Sequence, residues 1–329
     1  MRDNGYQRKG PSGQRRPRDG WKNGQMYNFL LSLRLARFPL LLVLMSLGIV
    51  ASCQNAGNVT GGHTPYIPEH SLGLPEGVPP DYFNLPVSYL PGDSVPYAVN
   101  LGHFMPQVRS QGTLGSCTAW ATAYALTSYY ARKAHGWVDD RSDHFLSPMF
   151  LYSSLVMAGA TSCRGGVNIF DALQFLRNHG CCTWQRMPYT DQGCPVPSNE
   201  AQVDAERFKL VTVARLDPQN IFQIKKHLRD GVPVVIAMPV GSAFDSLNIN
   251  TGNVIYDHVG EYMGRHAVCV IGYNDSFGGF RIMNSWGTKW GDYGLCWMPY
   301  GFFGRTVDQV YVAWDSTSLH LSKPSFAPR

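Results

Sequence analysis

The segment Gln111–Trp120 constrains this chain more than any other, because it places a cysteine where a turn-rich loop enters a helix. Gly112 and Gly115 allow the backbone to turn closely in front of Cys117. The unpaired N–H groups and the positive dipole end of a helix N-terminus stabilise a thiolate. Gln111 adds a side-chain N–H donor of the kind that stabilises an oxyanion. The segment therefore predicts a reactive nucleophile, and the alternative is a buried structural cysteine.

A base and an orienting group follow in a predicted β-hairpin. His266 begins a buried strand that ends in a turn, and Asn284 ends the next strand, Phe280–Asn284. The linker Ser276–Gly279 has the composition of a hairpin loop. A nucleophile needs a base, and the base needs a group that fixes its orientation. We therefore expect the hairpin to bring His266 and Asn284 side by side.

These three motifs together resemble those of the papain-like cysteine peptidases of the C1 family. Gln-Gly-x-x-Gly-Ser-Cys begins at Gln111, Gly-x-His-Ala-Val surrounds His266, and Asn-Ser-Trp-Gly-x-x-Trp-Gly-x-x-Gly begins at Asn284. The motifs stand in the family's order, over residues 95–300. Their separations from Cys117 lie at or a little beyond the roughly 130–150 residues typical of the family. The pattern resembles a divergent bacterial branch more than the lysosomal enzymes.

The resemblance implies an α+β fold, with an N-terminal helical lobe, a C-terminal antiparallel β lobe and the active-site cleft between them. It also implies a cysteine-type peptidase that needs no cofactor and no metal and acts on peptides or proteins. The implied catalytic residues are Gln111, Cys117, His266 and Asn284. The implied substrate-binding residues are Gly165, Gly166 and Trp286, of which Trp286 also shields the His–Asn bond from water. For Gly165 and Gly166 a simple tight turn is the alternative.

The pattern of apolar residues agrees with this order of lobes. Helices are predicted in the first half at Thr118–Lys133, from Ser147 and Pro148 through Leu155, and at Asn168–His179. The second half is mostly strand, with one helix from Asp217 to Arg229. The predicted strands are Tyr97–Leu101, Phe208–Val213, Val232–Pro239, His266–Tyr273, Phe280–Asn284 and Gly294–Met298.

The N-terminal region indicates export. A basic segment precedes the apolar core Phe38–Val50, which has the length of a signal-peptide core and is short for a membrane span. The following Val-Ala-Ser-Cys resembles the lipobox of bacterial lipoproteins, so we expect Cys53 to carry a lipid that anchors the protein to the bacterial cell envelope. The alternative is an ordinary signal cleaved near Ser52. Translation from Met26 would give a signal of compact length.

The predicted domain organisation has four parts. Residues 1–53 are a basic tail and signal peptide, 54–94 a Pro/Gly-rich tether or short arm, 95–315 the peptidase domain and 316–329 a C-terminal tail. Residues 1–53 hold nine Lys and Arg against two acidic residues, and the net charge of the whole chain is +5. The exported part is therefore slightly acidic, and no nucleic-acid partner is expected. We expect a monomer, and the short arm has the length to cover the cleft.

Seven cysteines follow Cys53, which leaves six besides Cys117 in an exported chain. That number permits up to three disulfides without requiring any. In papain-like enzymes a cysteine before Gly-Ser-Cys usually bonds one in a Cys-x-Gly-Gly segment, but here Leu114 replaces the first. Cys163 is left to pair with a cysteine close in sequence. The candidates are Cys181, Cys182 and Cys194, and Cys269 and Cys296 also remain unassigned.

Two residues beside the catalytic groups depart from the family's pattern. Thr118 stands after the nucleophile, where the family usually has Trp. Arg265 stands before the histidine, where a cation favours the thiolate but disfavours the imidazolium. Both departures put the substrate preference in doubt.

Two rival functions are consistent with these residues. One is a catalytically quiet surface protein that binds peptides, against which the complete set of thiol, base and orienting group argues. The other is an acyl transferase or transpeptidase that uses the same thioester intermediate, because cleft shape decides whether water or an amine accepts the acyl group.

Overall fold

The computed structural model describes residues 71–327, which lie in one compact unit. No helix within that range is long and apolar enough to cross a bilayer. The signal peptide, the lipidated Cys53 and the start at Met26 lie outside the described residues, and they stay predictions.

Helices follow one another in the first half of the described chain, and strands predominate in the second half. The helices are α1 (Pro80–Phe83), α2 (Cys117–Ala119), α3 (Ser128–His135), α4 (Pro148–Met157), α5 (Ile169–His179), α6 (Asn199–Ala205), α7 (Ile221–Arg229), α8 (Ser242–Asp245), α9 (Tyr300–Thr306) and α10 (Ser316–Ser322). The strands are β1 (Val87–Tyr89), β2 (Ala98–Asn100), β3 (Thr212–Arg215), β4 (Val234–Gly241), β5 (Tyr262–Asn274), β6 (Gly279–Met283), β7 (Leu295–Pro299), β8 (Gln309–Trp314) and β9 (Ser325–Ala327).

One sheet collects all these strands, in the order β7-β6-β5-β4-β8-β3-β1-β9, with β2 paired to the far end of β5. The β1–β3 pair is parallel, and the other pairs are antiparallel. Strand β5 is the longest and has β4 on one side and β6 on the other. The helices of the first half and the long antiparallel sheet of the second half form the α+β arrangement expected from the sequence.

Strand β5 separates the two hydrophobic cores of the protein. Ala267 and Cys269 join the core that contains α2, α4 and α5. Val268 and Val270 join the core on the opposite side of the sheet, with Phe244 and the tryptophans of the C-terminal half. Successive side chains of a strand point to opposite faces, so one strand contributes to both cores.

The first long helical run starts at Cys117 and continues to His135. It includes a π-helical segment, Trp120–Thr127, between α2 and α3, and every residue of that segment is buried. π-helical segments inside helices are often found at functional sites. The run ends at Gly136, whose φ of 68° is the left-handed conformation that glycine adopts most easily.

Two segments expected to lie outside the peptidase domain contribute to its sheet. The predicted tether includes α1 and β1, and β1 pairs with both β3 and β9. The predicted C-terminal tail supplies α10 and β9. Strand β8, for which no prediction was made, is buried along its whole length between β4 and β3.

The sequence-based bounds shift by a few residues elsewhere. The last predicted helix starts at Ile221 with Asn220 as its N-cap, four residues after Asp217. The strand expected at Phe208–Val213 lies at Thr212–Arg215, where it pairs with β8.

The buried N-cap of α4, Ser147, allows a test of how much one hydrogen-bonded cap stabilises the helical core. The Ser147 hydroxyl accepts from Phe150 N at 3.0 Å and donates to Met187 O at 2.5 Å, and Ser147 is fully buried. We expect Ser147→Ala to lower the free energy of unfolding by about 2 kcal/mol, since both buried partners lose their hydrogen bond.

The control is Ser198→Ala, which removes the N-cap bond to Ala201 N at the partly exposed start of α6. That change should cost about 1 kcal/mol or less, because water replaces the lost partner. Urea unfolding of both variants measures the difference, and equal losses would contradict the buried role of Ser147.

Candidate active site

Cys117 is the first residue of α2 and is fully buried. Burial raises the pKa of its thiol, and hydrogen bonding by the backbone of Ala267, Gly73 and Thr118 acts in the opposite direction. Ala267 follows His266 directly, so the thiol lies against the strand that carries the predicted base. The sulfur therefore sits at the contact between the helical half and the sheet.

His266 and Asn284 form the hydrogen bond that the hairpin predicts. His266 Nε2 lies 2.8 Å from Asn284 Oδ1, and both residues are buried. The antiparallel pairing of β5 with β6, which matches Cys269 with Met283, brings the two residues together. The amide oxygen accepts, so the imidazole nitrogen at this contact carries the proton.

Aromatic side chains enclose this pair. The Trp286 ring lies 4.8 Å from the His266 ring, and the Phe244 ring lies 5.9 Å from it on another side. Trp286 itself is 4% exposed. The tryptophan therefore covers the His–Asn pair, as the sequence predicts.

Gln111 is held in one orientation by a residue that the sequence analysis did not select. Its Oε1 accepts from Ser285 Oγ at 2.6 Å, and its backbone N–H donates to Ser285 O at 2.8 Å. The amide N–H₂ therefore points the other way and donates to Ser71 O and Leu114 O, both at 3.0 Å. Ser285 lies inside the Asn-Ser-Trp-Gly motif, so this motif could have indicated its role.

Residues 71–77, which we call the arm, cross the site. Ser71 O accepts from the Gln111 amide, and the Gly73 backbone contacts the Cys117 thiol. Gly73 O accepts from Val167 N at 2.9 Å, and Leu74 forms a β-bridge with Arg265. The arm thus reaches both Gln111 and Cys117, the predicted oxyanion donor and nucleophile.

The predicted substrate-binding glycines lie directly against this arm. A Cβ on Gly166 would lie 2.5 Å from Gly73 O, and Gly165 O accepts from Tyr152 OH at 2.7 Å. A close approach of two backbones therefore requires glycine at position 166. The tight turn considered as the alternative is also present, since Gly165 N donates to Ser162 O at 2.8 Å.

A disulfide holds the loop that carries these glycines. Cys163 pairs with Cys194, which selects one of the three partners left open by the sequence. The other four cysteines of this group, Cys181, Cys182, Cys269 and Cys296, are reduced and buried. The described residues contain no group of side chains suited to a metal ion.

The two departures from the family's pattern have structural roles. Thr118 Oγ1 donates to Val167 O at 2.7 Å and so ties α2 to the glycine loop. Arg265 pairs with Asp308 at 2.6 Å, which offsets its positive charge beside His266. Tyr189 is a further support that no motif indicated. Its hydroxyl donates to Gln111 O at 2.7 Å and also contacts Ser116 Oγ at 2.7 Å.

The fold and the site together define a cysteine peptidase architecture, with a thiol at a helix start and a His–Asn pair on the facing sheet. The family model described as "Papain family cysteine protease" matches residues 97–308. The chain belongs to the papain family of cysteine proteases, and this membership supports a cysteine-type peptidase, a hydrolase.

Relatives of this chain come from several kinds of organism. It is 31% identical over 215 residues to an uncharacterised peptidase C1-like protein of Acanthamoeba polyphaga mimivirus, which covers 60% of this chain and 67% of the relative. It is 32% identical to the gamete and mating-type specific protein A of Dictyostelium discoideum, over 58% of this chain and 40% of that protein. The chain thus spans between two fifths and two thirds of these relatives.

Solved structures agree on the fold. Xylellain, a cysteine protease from Xylella fastidiosa, superposes with a TM-score of 0.62 at 26% identity, over 75% of this chain and 97% of that one. A Carica candamarcensis cysteine protease reaches a TM-score of 0.51 at 22% identity, over 67% and 99% of the two chains, and supports the fold alone.

Displacement of the arm should expose the nucleophile. A Cβ on Gly73 would lie 1.9 Å from Gly115 O, so Gly73→Ala is expected to push the arm away from Cys117. We expect iodoacetamide to alkylate Cys117 about tenfold faster in this variant, as overpacking costs of about 1–3 kcal/mol favour the open state. Mass spectrometry of timed reactions measures the rate.

Gly193→Ala is the matched control, because a Cβ there meets nothing within 4 Å. Its alkylation rate should equal that of the unmodified chain. Equal rates for all three proteins would show that the arm does not limit access to Cys117.

Proposed function

We propose that this protein hydrolyses peptide bonds with Cys117 as the nucleophile, His266 as the base, Asn284 as the orienting residue and Gln111 as an oxyanion donor. The observation that carries the proposal is the combination of the His266–Asn284 bond of 2.8 Å with the packing of Cys117 and Ala267, the residue after His266, in one core. A base, its orienting group and a thiol within one small region are the requirements of covalent acyl transfer.

In this proposal the reaction begins with a proton transfer. Because Nε2 of His266 is bound to Asn284, the other ring nitrogen, Nδ1, takes the thiol proton from Cys117. The thiolate attacks the peptide carbonyl and forms a tetrahedral oxyanion. When that intermediate collapses, the C–N bond breaks, the imidazolium gives its proton to the leaving amine, and a thioester remains. Water then attacks the thioester, and the acid product and the free thiol are released.

The oxyanion donor is the Gln111 amide together with the backbone N–H of Cys117. Ser71 O lies 3.0 Å from the Gln111 amide nitrogen, so a carbonyl oxygen already accepts from the donor that would bind the oxyanion. Ser285 fixes the direction of this donor before the substrate arrives, and a donor that needs no reorganisation stabilises the transition state best. Gly165 and Gly166 would hold the acyl part of an extended substrate, where Gly73 now lies.

We also propose that the protein acts as a monomer at the bacterial cell envelope, attached to a membrane through a lipid on Cys53. The support is the apolar segment Phe38–Val50 and the small residues that precede Cys53. Globomycin-sensitive processing and loss of membrane association in Cys53→Ala would test the anchor. A Cys53→Ala protein that stays with the membrane would contradict it.

A thiol-reactive epoxide affinity probe, applied at neutral pH and mapped by mass spectrometry, tests the nucleophile. Labelling should fall on Cys117, vanish in Cys117→Ala and become much slower in His266→Ala. Labelling of the Gly73→Ala chain separates an inert thiol from one covered by the arm. Absence of labelling in both chains would favour the peptide-binding alternative.

Loss of the oxyanion donor should reduce turnover more than binding. We expect Gln111→Ala to lower kcat on a cleaved peptide by about 10²- to 10³-fold with a small change in KM, because the donor acts on charge that develops in the transition state. The control is Gln219→Ala, an exposed residue of the same type, which should leave kcat unchanged. A Gln111→Ala variant that changes only KM would exclude the oxyanion role.

A further inference from the structure

A cavity of about 530 Å³ adjoins the catalytic groups. Its lining includes Ser110, Asp245, Asn248, Trp286, Lys289 and Trp290. Ser110 directly precedes the oxyanion donor Gln111, and Trp286 packs on the His266 ring at 4.8 Å. The cavity therefore begins within one residue of the catalytic groups.

The cavity and the arm lie against different parts of the site. The arm contacts Gly115, Gly166 and Arg265, and none of these residues lines the cavity. In the proposed reaction, on which this inference rests, the acyl part of the substrate lies along Gly165 and Gly166. The residues that follow the scissile bond then extend toward Ser110 and Trp286 and into this cavity.

Asp245 brings an uncompensated carboxylate to the cavity. It is the last residue of α8, and one of its carboxylate oxygens is shielded from solvent with no donor among the described residues. Burial alone raises the pKa of this carboxyl, with no contribution from a neighbouring cation. Lys289 is exposed and lines the same cavity, but it forms no ion pair with Asp245 in the part of the chain that the structure describes.

A cationic side chain suits these surroundings better than other ligands. A half-buried carboxylate without a partner is costly, and an ammonium or guanidinium group offsets that cost. The Trp286 and Trp290 rings, 5.7 Å apart and nearly perpendicular, offer apolar and π surfaces. Such surfaces favour the aliphatic stem and the charged head of arginine or lysine.

We propose that Asp245 makes this protein select a basic residue, arginine or lysine, among the first residues after the scissile bond. The carboxylate would pair with the side chain of the leaving peptide through Oδ2, the oxygen that is not shielded, and the two tryptophans would pack on the stem of that side chain. Asp245 is thus a specificity-determining residue that takes no part in bond making.

Binding of product-like peptides tests the proposal without turnover. Calorimetric titrations use the full chain and three amides, Arg-Leu, citrulline-Leu and Glu-Leu, since citrulline keeps the shape of arginine without its charge. The arginine amide should bind about tenfold more tightly than the citrulline amide, as expected for one partly buried charge pair. The preference should disappear in Asp245→Asn and persist in the control Asp93→Asn, an exposed residue outside the cavity.

Cleavage gives a second and independent readout. Quenched peptides that differ only in Arg, citrulline or Glu after the scissile bond should show the same order in kcat/KM, and Asp245→Asn should remove it. If no peptide is cleaved, the proposed function fails while the binding ratio still decides the role of Asp245. Equal binding of arginine and citrulline amides to the unmodified chain, or a preference that survives Asp245→Asn, would overturn the proposal.

Discussion

The contact between the start of the helical run and strand β5 is the constraint on which this structure depends. Cys117 enters α2 at the point where the backbone of Ala267 reaches its sulfur, and the helical core and the sheet meet there. The same strand pairs with β6 and so delivers His266 to Asn284. A one-residue slip of β5 would turn His266 to the other face of the sheet, away from Phe244 and Trp286. Register and chemistry are therefore fixed by the same pairing.

The buried polar groups of the site explain why the arm lies where it does. Gln111 is fully buried, and Ser285 uses its amide oxygen, so its N–H₂ group needs acceptors inside the protein. A buried donor left without a partner costs about 1–3 kcal/mol. Ser71 O supplies one acceptor and Leu114 O the other. The amide that we propose as an oxyanion donor thus also binds the backbone of its own chain.

The sequence predicted the fold class and the contact of His266 with Asn284, but it missed segments whose positions depend on distant partners. His266, Asn284 and Trp286 stand in local motifs, and a hairpin needs only short-range pairing to bring them together. Strand β8 shows no alternation because both its faces are buried, and periodicity alone does not identify such a strand. Strand β1 and the arm have a loop-like composition, and their positions depend on partners far away in the sequence. Strand β1, for example, pairs with β3, and Gly73 of the arm packs against Gly115.

The arm and the cavity of Asp245 divide the site into a filled part and an open part. Gly73 approaches Gly115 so closely that no side chain fits between them. Side-chain hydrogen bonds of Ser71 and Glu76 and the burial of Leu74 in the helical core hold the rest of the arm. Because the arm belongs to the same chain, its effective concentration is also high, on the order of millimolar. A peptide that also engages the open part gains contacts that the described arm does not make. Interactions on the leaving-group side therefore help a substrate displace the arm, and this couples selection of the peptide to exposure of Cys117.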